Sequence, residues 1–354
     1  LIIRRGLAVK EGQLVLINLP ASLYEFAELL VEDAYKQGAS EVRVDFNHQP
    51  LTRLGYDYRS VENLSDVKAW EIAKLKEQIE KKPARLYITG EDPDGLAGVD
   101  QDKLQASRQA RYPILKPYND KLENQYAWCI AGAATKPWAK KVFPDLAEDE
   151  AERKLWDAIF DACRVGDGKA IDRWDEHNKT FEARSRWLNE QGFDYLHYTS
   201  PEGTDCKVWL NPKVKWDGGD EALANGHRFN PNLPTEEIFT TPVAGKAEGK
   251  LCATMPLSSN GQLIDHFWIE FSDGKAVRWD AKTGKDALTS IITMDEGSSR
   301  LGELALVPDE SPISQSGILF YNTLFDENAS CHVALGRGFS NLLEDFEGLD
   351  SEAL

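Results

Sequence analysis

The sequence predicts two domains of different fold class. Residues 1–192 are expected to form an α/β domain, with a mostly parallel sheet and flanking helices, and residues 193–354 a β-rich α+β domain. Strand-like and helix-like segments alternate up to Gly192, which is typical of helices packed on a sheet. Short strand-like segments separated by turn residues follow this glycine. The length of 354 residues also exceeds what one core usually holds.

Four apolar or alternating segments predict the strands of the first domain, at residues 14–17, 41–46, 86–89 and 126–131. Apolar residues then recur at helical intervals over residues 23–34, and Gly38 follows as a stop signal. Ser22 and Glu25 have the spacing of a capping box, so we predict that Ser22 caps this helix. Further helices are predicted at residues 100–111, 148–165 and 167–191.

The second domain is predicted to consist mainly of antiparallel strands. Its strand-like segments lie at residues 193–199, 206–210, 251–256, 267–271 and 276–279. The turn residues Ser272, Asp273 and Gly274 join the last two segments and indicate a hairpin. Residues 217–234 are rich in Gly, Asn and Pro, so we expect a long irregular loop there.

Charge and cysteine content exclude several classes of protein. A formal net charge of −18 argues against nucleic-acid binding, which needs a basic surface. No apolar run reaches the roughly 18 residues of a membrane-spanning helix, so no membrane partner is expected. The five cysteines are odd in number and contain no CxxC pair, which indicates reduced thiols and a cytoplasmic location.

Several common catalytic motifs are absent from the sequence. It contains no HExxH zinc motif, no GxSxG elbow, no GxxxxGKS/T phosphate loop and no GxGxxG fingerprint. These absences argue against serine hydrolases, NTPases and dehydrogenases. The remaining candidates for chemistry are carboxylates and one histidine in apolar or turn-rich surroundings.

Two of the carboxylate positions lie beside or within apolar segments. Glu236 and Glu237 precede the apolar residues Ile238 and Phe239. Neighbouring side chains of an extended segment point to opposite faces, so one acid is expected to face inward, unless both belong to a solvated loop. Glu303 is the single acid of an otherwise apolar run. Burying its charge is costly unless a cation or a polar partner meets it.

A third cluster combines acids with a histidine. Asp326, Glu327 and His332 lie within seven residues and mix oxygen with imidazole donors, as sites for Zn²⁺, Co²⁺ or Mn²⁺ do. Acidic turns before a buried histidine also occur without a metal, so the spacing leaves both interpretations open. Carboxylate-rich sites suit two ions about 3.5–4 Å apart that share one carboxylate. Because an isolated acid in an apolar strand needs a cation, we assign Glu303 as the bridging ligand.

Several stretches resemble a known family. They are NLPTEEIFTTP (232–242), GKAEGKLCATMPL (245–257), DEGSSRLGELALVP (295–308), SPIS (311–314) and FYNTLFDENASCHVALG (320–336). In these motifs the chain resembles the aminopeptidase T family of metallopeptidases, the broad-specificity aminopeptidases of thermophilic and staphylococcal type. The resemblance is dense in the second half and looser in the first, where GEDPDGLAGVD (90–100) carries it.

The resemblance implies a metal-dependent exopeptidase that removes N-terminal residues from peptides with a free N-terminus. It also implies a homodimer with two divalent ions per subunit, drawn from Zn²⁺, Co²⁺, Mn²⁺ and Mg²⁺. By motif, Glu237 is a metal ligand, Glu303 the catalytic bridging glutamate and His332 the metal-binding histidine. Glu327 is a further ligand, and Glu236 takes the place of Glu237 if the choice within the acid pair is wrong.

The chain departs from the family pattern at two points. Seven residues after the ligand histidine the family has a catalytic tyrosine, and Phe339 occupies that position here with no hydrogen bond to donate. The family also has a His-x-Asp ligand pair near its C-terminus, and this chain ends at Leu354 before such a pair, so we expect the second domain to be truncated. A catalytically impaired metal-binding homologue is therefore one alternative function. A metal-dependent amidase or dipeptidase is the other.

Overall fold

A computed structural model describes residues 1–343. In chain order the strands are β1 (Leu14–Pro20), β2 (Glu41–Asn47), β3 (Ala84–Thr89), β4 (Trp128–Gly132), β5 (Tyr195–Thr199), β6 (Asp205–Leu210), β7 (Glu221–Ala222), β8 (Arg228–Phe229), β9 (Asn232–Leu233), β10 (Ile238–Thr240), β11 (Pro242–Cys252), β12 (Leu257–Ser259), β13 (Gln262–Ser272), β14 (Lys275–Thr283), β15 (Leu301–Leu306) and β16 (His332–Leu335). The α-helices are α1 (Tyr24–Lys36), α2 (Gln49–Tyr58), α3 (Val61–Ser65), α4 (Ala69–Lys81), α5 (Gln101–Leu122), α6 (Lys136–Val142), α7 (Glu148–Ala162), α8 (Ala170–Gln191), α9 (Lys285–Ile292), α10 (Pro312–Ser316) and α11 (Thr323–Asp326).

The first compact unit comprises Leu1–Trp174 and Asp220–Pro234. It contains a five-stranded sheet in the order β2-β1-β3-β4-β9, in which every neighbouring pair is parallel. Val15, Ile17 and Leu19 of β1 are buried, as expected for an inner strand of a parallel sheet covered by helices. A cavity of about 730 Å³ opens beyond the carboxyl ends of β1–β3, and none of the predicted metal ligands lines it.

The second compact unit comprises Asp175–Gly219 and the chain from Thr235 onward. A six-stranded antiparallel sheet runs in the order β12-β13-β11-β6-β5, with β14 paired to β13. A separate three-stranded antiparallel sheet has the order β10-β15-β16. Buried apolar side chains such as Val208, Phe271 and Leu304 belong to one core cluster of this unit. The predicted fold class, an α/β part followed by a β-rich α+β part, is confirmed.

The hairpin of the second unit agrees with the prediction, and the start of α1 does not. The hairpin forms where it was predicted, since Ser272 pairs with Lys275. The capping box is wrong: a short 3₁₀ turn occupies residues 21–23, and α1 begins at Tyr24 with no side-chain cap. That turn moves the first α-helical residues past Ser22, so its hydroxyl does not cap the helix.

The structure also contains helices that the sequence did not predict. The segment α2–α4 was missed because these helices have almost no buried residues, and an apolar stripe is the main signal for a helix. Helix α5 extends to Leu122 through Pro113 and Pro117, beyond the predicted end at residue 111. No helix within residues 1–343 is long and apolar enough to cross a membrane. The division at Gly192 remains a prediction, and residues 344–354 lie outside the described residues.

Candidate metal centre

The small sheet β10-β15-β16 aligns the candidate ligands on one face. On the central strand β15, Ala305 pairs with His332 of β16 and with Phe239 of β10. Directly opposed residues share a face, and so do residues two apart along a strand. Glu303, two residues before Ala305, therefore shares a face with His332. Glu237 lies two residues before Phe239, so it is expected on the same face as Phe239 and Glu303.

The donor atoms of these residues converge. One ligand atom each of Glu237, Glu303 and His332 lies within 4.8 Å of the others. The site is sheltered: Glu237 is only 6% exposed, and the His332 side chain is 18% exposed. Three ionisable groups this close and this buried are costly together unless a cation or protons balance their charge.

His332 is oriented as a metal-binding histidine would be. Its Nδ1 atom lies 3.1 Å from the carbonyl oxygen of Ser330. Because a carbonyl can only accept, Nδ1 carries the proton in this bond, which leaves the Nε2 lone pair available in the neutral ring. Nε2 of His332 and Oε2 of Glu237 are both buried and have no hydrogen-bond partner among the described residues. Two buried polar atoms that face each other without a partner fit a divalent ion.

A β-bulge adjoins Glu303. The register between β15 and β16 shifts between Leu301 and Glu303, and Gly302 occupies the shift. A Cβ atom at Gly302 would lie 2.4 Å from the carbonyl oxygen of Arg337 and 2.5 Å from that of Gly336. Glycine therefore allows the chain after β16 to approach β15 closely, and bulges of this kind redirect side chains beside active sites.

Burial and mutual repulsion raise the pKa of two glutamates. Burial, followed by the charge of Glu237, raises the pKa of Glu303 to about 7, although His332 opposes the shift. Burial and repulsion from Glu237 also raise the pKa of Glu327 to about 8. Glu327 lies in the 3₁₀ turn after α11, close enough to interact electrostatically with the other three residues. It is not part of the set whose donor atoms lie within 4.8 Å.

His332 is shifted in the sense that favours its protonated form. Burial alone would lower its pKa, but the contact with Glu237, the charge of Glu327 and the bond to the Ser330 carbonyl together raise it to about 9. The pKa values of Glu303, Glu327 and His332 are all raised, so near neutral pH protons offset the negative charge of this cluster when no metal is bound. The donor set of carboxylate oxygens and one imidazole suits Zn²⁺, Co²⁺ and Mn²⁺.

Glu236 and Phe339 have other surroundings. The Glu236 side chain is buried, and its Oε1 lies 3.7 Å from Nε2 of His177 in α8, while that same nitrogen lies 2.9 Å from the carbonyl oxygen of Thr235. Phe339 is 38% exposed, and its ring centroid lies 4.7 Å from that of Phe239. His177 lies in a helix more than 50 residues before the acid pair, so the sequence carries no signal of this proximity.

The chain matches the family described as thermophilic metalloprotease (M29) over residues 1–354. This chain belongs to that family. The metalloprotease is similar to aminopeptidase PepS of Streptococcus thermophilus, with 39% identity over 356 residues that cover 100% of this chain and 86% of the relative. It is also similar to aminopeptidase T of Thermus aquaticus, with 38% identity over 348 residues that cover 97% of this chain and 84% of the relative.

A solved structure shares the fold of the metalloprotease. Wild-type AmpT from Thermus thermophilus superposes with a TM-score of 0.89 at 37% identity, covering 98% of this chain and 86% of the other. The resemblance to the aminopeptidase T family is thus confirmed, and so is the predicted class of enzyme, a metallo-aminopeptidase. Membership of the family implies a divalent metal cofactor.

Proposed function

We propose that the protein hydrolyses the N-terminal peptide bond of peptides at a centre of two divalent metal ions. Glu237, Glu303, Glu327 and His332 would hold the ions, with Glu303 bridging them. The observation that carries this proposal is the convergence of Glu237, Glu303 and His332, whose donor atoms lie within 4.8 Å of one another. When bound, such ions act as Lewis acids on a carbonyl and activate water near neutral pH.

The bridging role of Glu303 is supported by its position. It lies on the central strand of the three-stranded sheet, with the strand of His332 on one side and that of Ile238 on the other. Its charge interacts with that of Glu237 and with that of Glu327, so it adjoins both other glutamates of the cluster. A carboxylate has two oxygens and can contact two cations at once, which an imidazole with one free nitrogen cannot.

Restriction to the first bond requires recognition of the free α-amine of the substrate. A cationic amine is attracted by carboxylates, and the cluster contains three of them in a sheltered setting. An acid of the cluster would bind the protonated amine, or an ion held by the cluster would bind the amine in its neutral form, and either contact would place the first carbonyl at the centre. A peptide with a blocked N-terminus has no such cation and would bind poorly.

Phe339 motivates the alternative of a catalytically impaired metal-binding homologue. A phenyl ring cannot stabilise a developing oxyanion through a hydrogen bond, whereas the tyrosine of the family pattern can. The backbone N–H of Phe339 donates to Oγ1 of Thr241 at 2.8 Å, so the residue is anchored at its backbone. An impaired homologue would bind metal without measurable turnover.

Metal content and substrate choice test the proposal together. The purified protein should contain close to two equivalents of Zn²⁺ or Co²⁺ after reconstitution, measured by elemental analysis, and should hydrolyse leucyl p-nitroanilide but not its N-acetyl derivative. Metal binding without turnover would support the impaired homologue. Equal turnover of the free and blocked substrates would support the amidase alternative. Absence of metal binding would contradict the proposal as a whole.

We also propose that the enzyme is a cytoplasmic homodimer. All five cysteines are free thiols, a state that a reducing compartment maintains. Sedimentation equilibrium at micromolar concentration should give twice the mass of the chain, and a monomeric mass would contradict the dimer. Fractionation of cells that express the full-length protein should recover it with cytoplasmic markers.

A further inference from the structure

The segments that carry the candidate ligands meet at one buried amide. Oδ1 of Asn328 accepts a hydrogen bond from the backbone N–H of Glu236 at 2.6 Å, and Nδ2 donates to the carbonyl oxygen of Leu324 at 2.9 Å. Asn328 is fully buried. The bond to Glu236 joins the segment of Glu237 to that of Glu327, because Glu236 precedes Glu237 and Asn328 itself follows Glu327. The bond to Leu324 lies within the turn of Asn328 and fixes the amide there.

A buried hydroxyl links the third segment to the same residue. Oγ of Ser311 donates to the carbonyl oxygen of Asn328 at 2.7 Å, and Ser311 is also fully buried. The same oxygen accepts from the backbone N–H groups of Ile313 and Ser314, so it caps helix α10. Ser311 follows β15, the strand that carries Glu303, by five residues.

We infer that Asn328 and Ser311 are positioning residues that hold the three ligand-bearing segments in a geometry ready to bind metal. The reason is the cost of bringing buried carboxylates together. Buried carboxylates this close to one another repel whenever neither protons nor a cation balance their charge, and that repulsion favours separation of their segments. Buried hydrogen bonds are costly to break without water to replace them, so this pair resists that separation.

The inference rests on the proposed metal site, and it assigns no contact with substrate to either residue. Groups behind metal ligands orient them, and their loss typically lowers metal affinity by about 10–100-fold. Asn328→Ala removes both side-chain bonds of the amide. Ser311→Ala removes the bond to the Asn328 carbonyl but leaves the amide and its two bonds intact, so it remains informative if Asn328→Ala does not fold.

Asn189 provides a matched control in the same compact unit. Its amide also makes two bonds, here both to another segment, since Nδ2 donates to the carbonyl of Trp216 at 3.0 Å and Oδ1 accepts from its N–H at 2.8 Å. None of the candidate ligands adjoins it in sequence. Asn189→Ala is therefore expected to alter stability without altering metal binding.

The test titrates the metal-free full chain with Co²⁺ and records both calorimetric affinity and the visible absorption of the bound ion. We expect a 10–100-fold lower affinity in Asn328→Ala, a smaller fall in Ser311→Ala, a changed absorption band in both, and wild-type values in Asn189→Ala. Affinity within twofold of wild type in the folded variants, or an equal loss in Asn189→Ala, would overturn the inference. If the wild-type chain binds no Co²⁺, the proposed function fails instead.

Discussion

The Nε2 atom of His332 lies 2.9 Å from Oε2 of Glu237, so the two side chains form an ion pair when the imidazole is protonated. With Nδ1 bonded to the Ser330 carbonyl, a neutral His332 would direct a lone pair at a carboxylate oxygen. A proton on Nε2 or a metal ion between the two atoms removes that repulsion. Protons and metal therefore compete for the same place in the cluster.

This competition predicts how the stability of the metal-free protein depends on pH. Glu303 holds its proton up to about pH 7 in the folded protein and to 4.5 when unfolded, and His332 up to about pH 9 against 6.5. In both cases the folded state binds more protons between the two values, so stability falls as pH rises through that window. Between pH 6 and pH 9 the free energy of unfolding should fall by on the order of 5 kcal/mol, because Glu303 contributes over about one pKa unit of this range and His332 over about 2.5, at about 1.4 kcal/mol per unit.

Urea denaturation of chelator-treated protein measures this fall, and saturating Zn²⁺ should reverse it because metal binds the deprotonated ligands. His332→Gln serves as the control, since it removes the contribution of the imidazole and should make the fall above pH 7 smaller, leaving the part that Glu303 and Glu327 contribute. Metal-free stability that rises between pH 6 and pH 9 would contradict the assigned protonation of the cluster.

Replacing Glu303 with glutamine tests the bridging ligand. Glu303→Gln keeps the shape of the side chain but removes the charge, and the hydrolysis of leucyl p-nitroanilide should fall by more than about 100-fold even at saturating metal. The metal-free variant should be as stable as the parent or more so at pH 8, because the substitution removes repulsion with Glu237. Glu202→Gln changes an exposed glutamate of the same unit and should leave both quantities unchanged. Full activity in Glu303→Gln would exclude a bridging role.

The sequence predicted the fold class better than its details. Alternating and apolar runs located β1–β4 and the hairpin of β13 and β14, because burial on a sheet leaves a strong pattern. Helix α2 has no buried residue and left no such pattern. The end of α1 nearest β1 depends on a 3₁₀ turn, whose geometry the spacing of Ser22 and Glu25 does not encode.

The sequence predicted some features of the site and not others. Glu303 stands out because an acid within an apolar strand is unusual, and its motif resembles one in a known family. The pairing of Ala305 with His332, which brings the ligands to one face, is a property of register between distant segments. Asn328 and Ser311 were not identified, since buried polar residues in turns resemble exposed ones until their partners are known.

Phe339 offers a gain-of-function test. Phe339→Tyr adds one hydroxyl at the position of the family tyrosine, and 38% exposure of the ring leaves space for it. If this position faces the reacting carbonyl, kcat should rise by about 10-fold or more with little change in KM, because a donor to a developing oxyanion acts in the transition state. Phe193→Tyr places the same hydroxyl on another exposed ring of the unit and should have no effect. An unchanged kcat would mean that another group fills the role or that none is needed.

Gly302 connects the backbone of the sheet to the metal centre. In Gly302→Ala the new methyl group would meet two carbonyl oxygens at 2.4 Å and 2.5 Å, so the chain after β16 must move away from β15. We expect a loss of about 1–3 kcal/mol in the free energy of unfolding, as for other overpacked sites. Metal affinity should also fall, because Glu303 is the next residue on β15 and His332 begins β16.

A second glycine-to-alanine change separates these effects from those of an added methyl group. Gly245 lies in β11, and a Cβ atom at this position would have no atom within 4 Å. Gly245→Ala should therefore leave metal affinity unchanged and alter the free energy of unfolding by no more than about 0.5 kcal/mol. Calorimetric titration with Zn²⁺ beside urea denaturation measures both quantities for each variant. If Gly302→Ala loses stability but binds metal as tightly as the parent, the close approach of the two strands serves packing alone and the bulge does not orient Glu303.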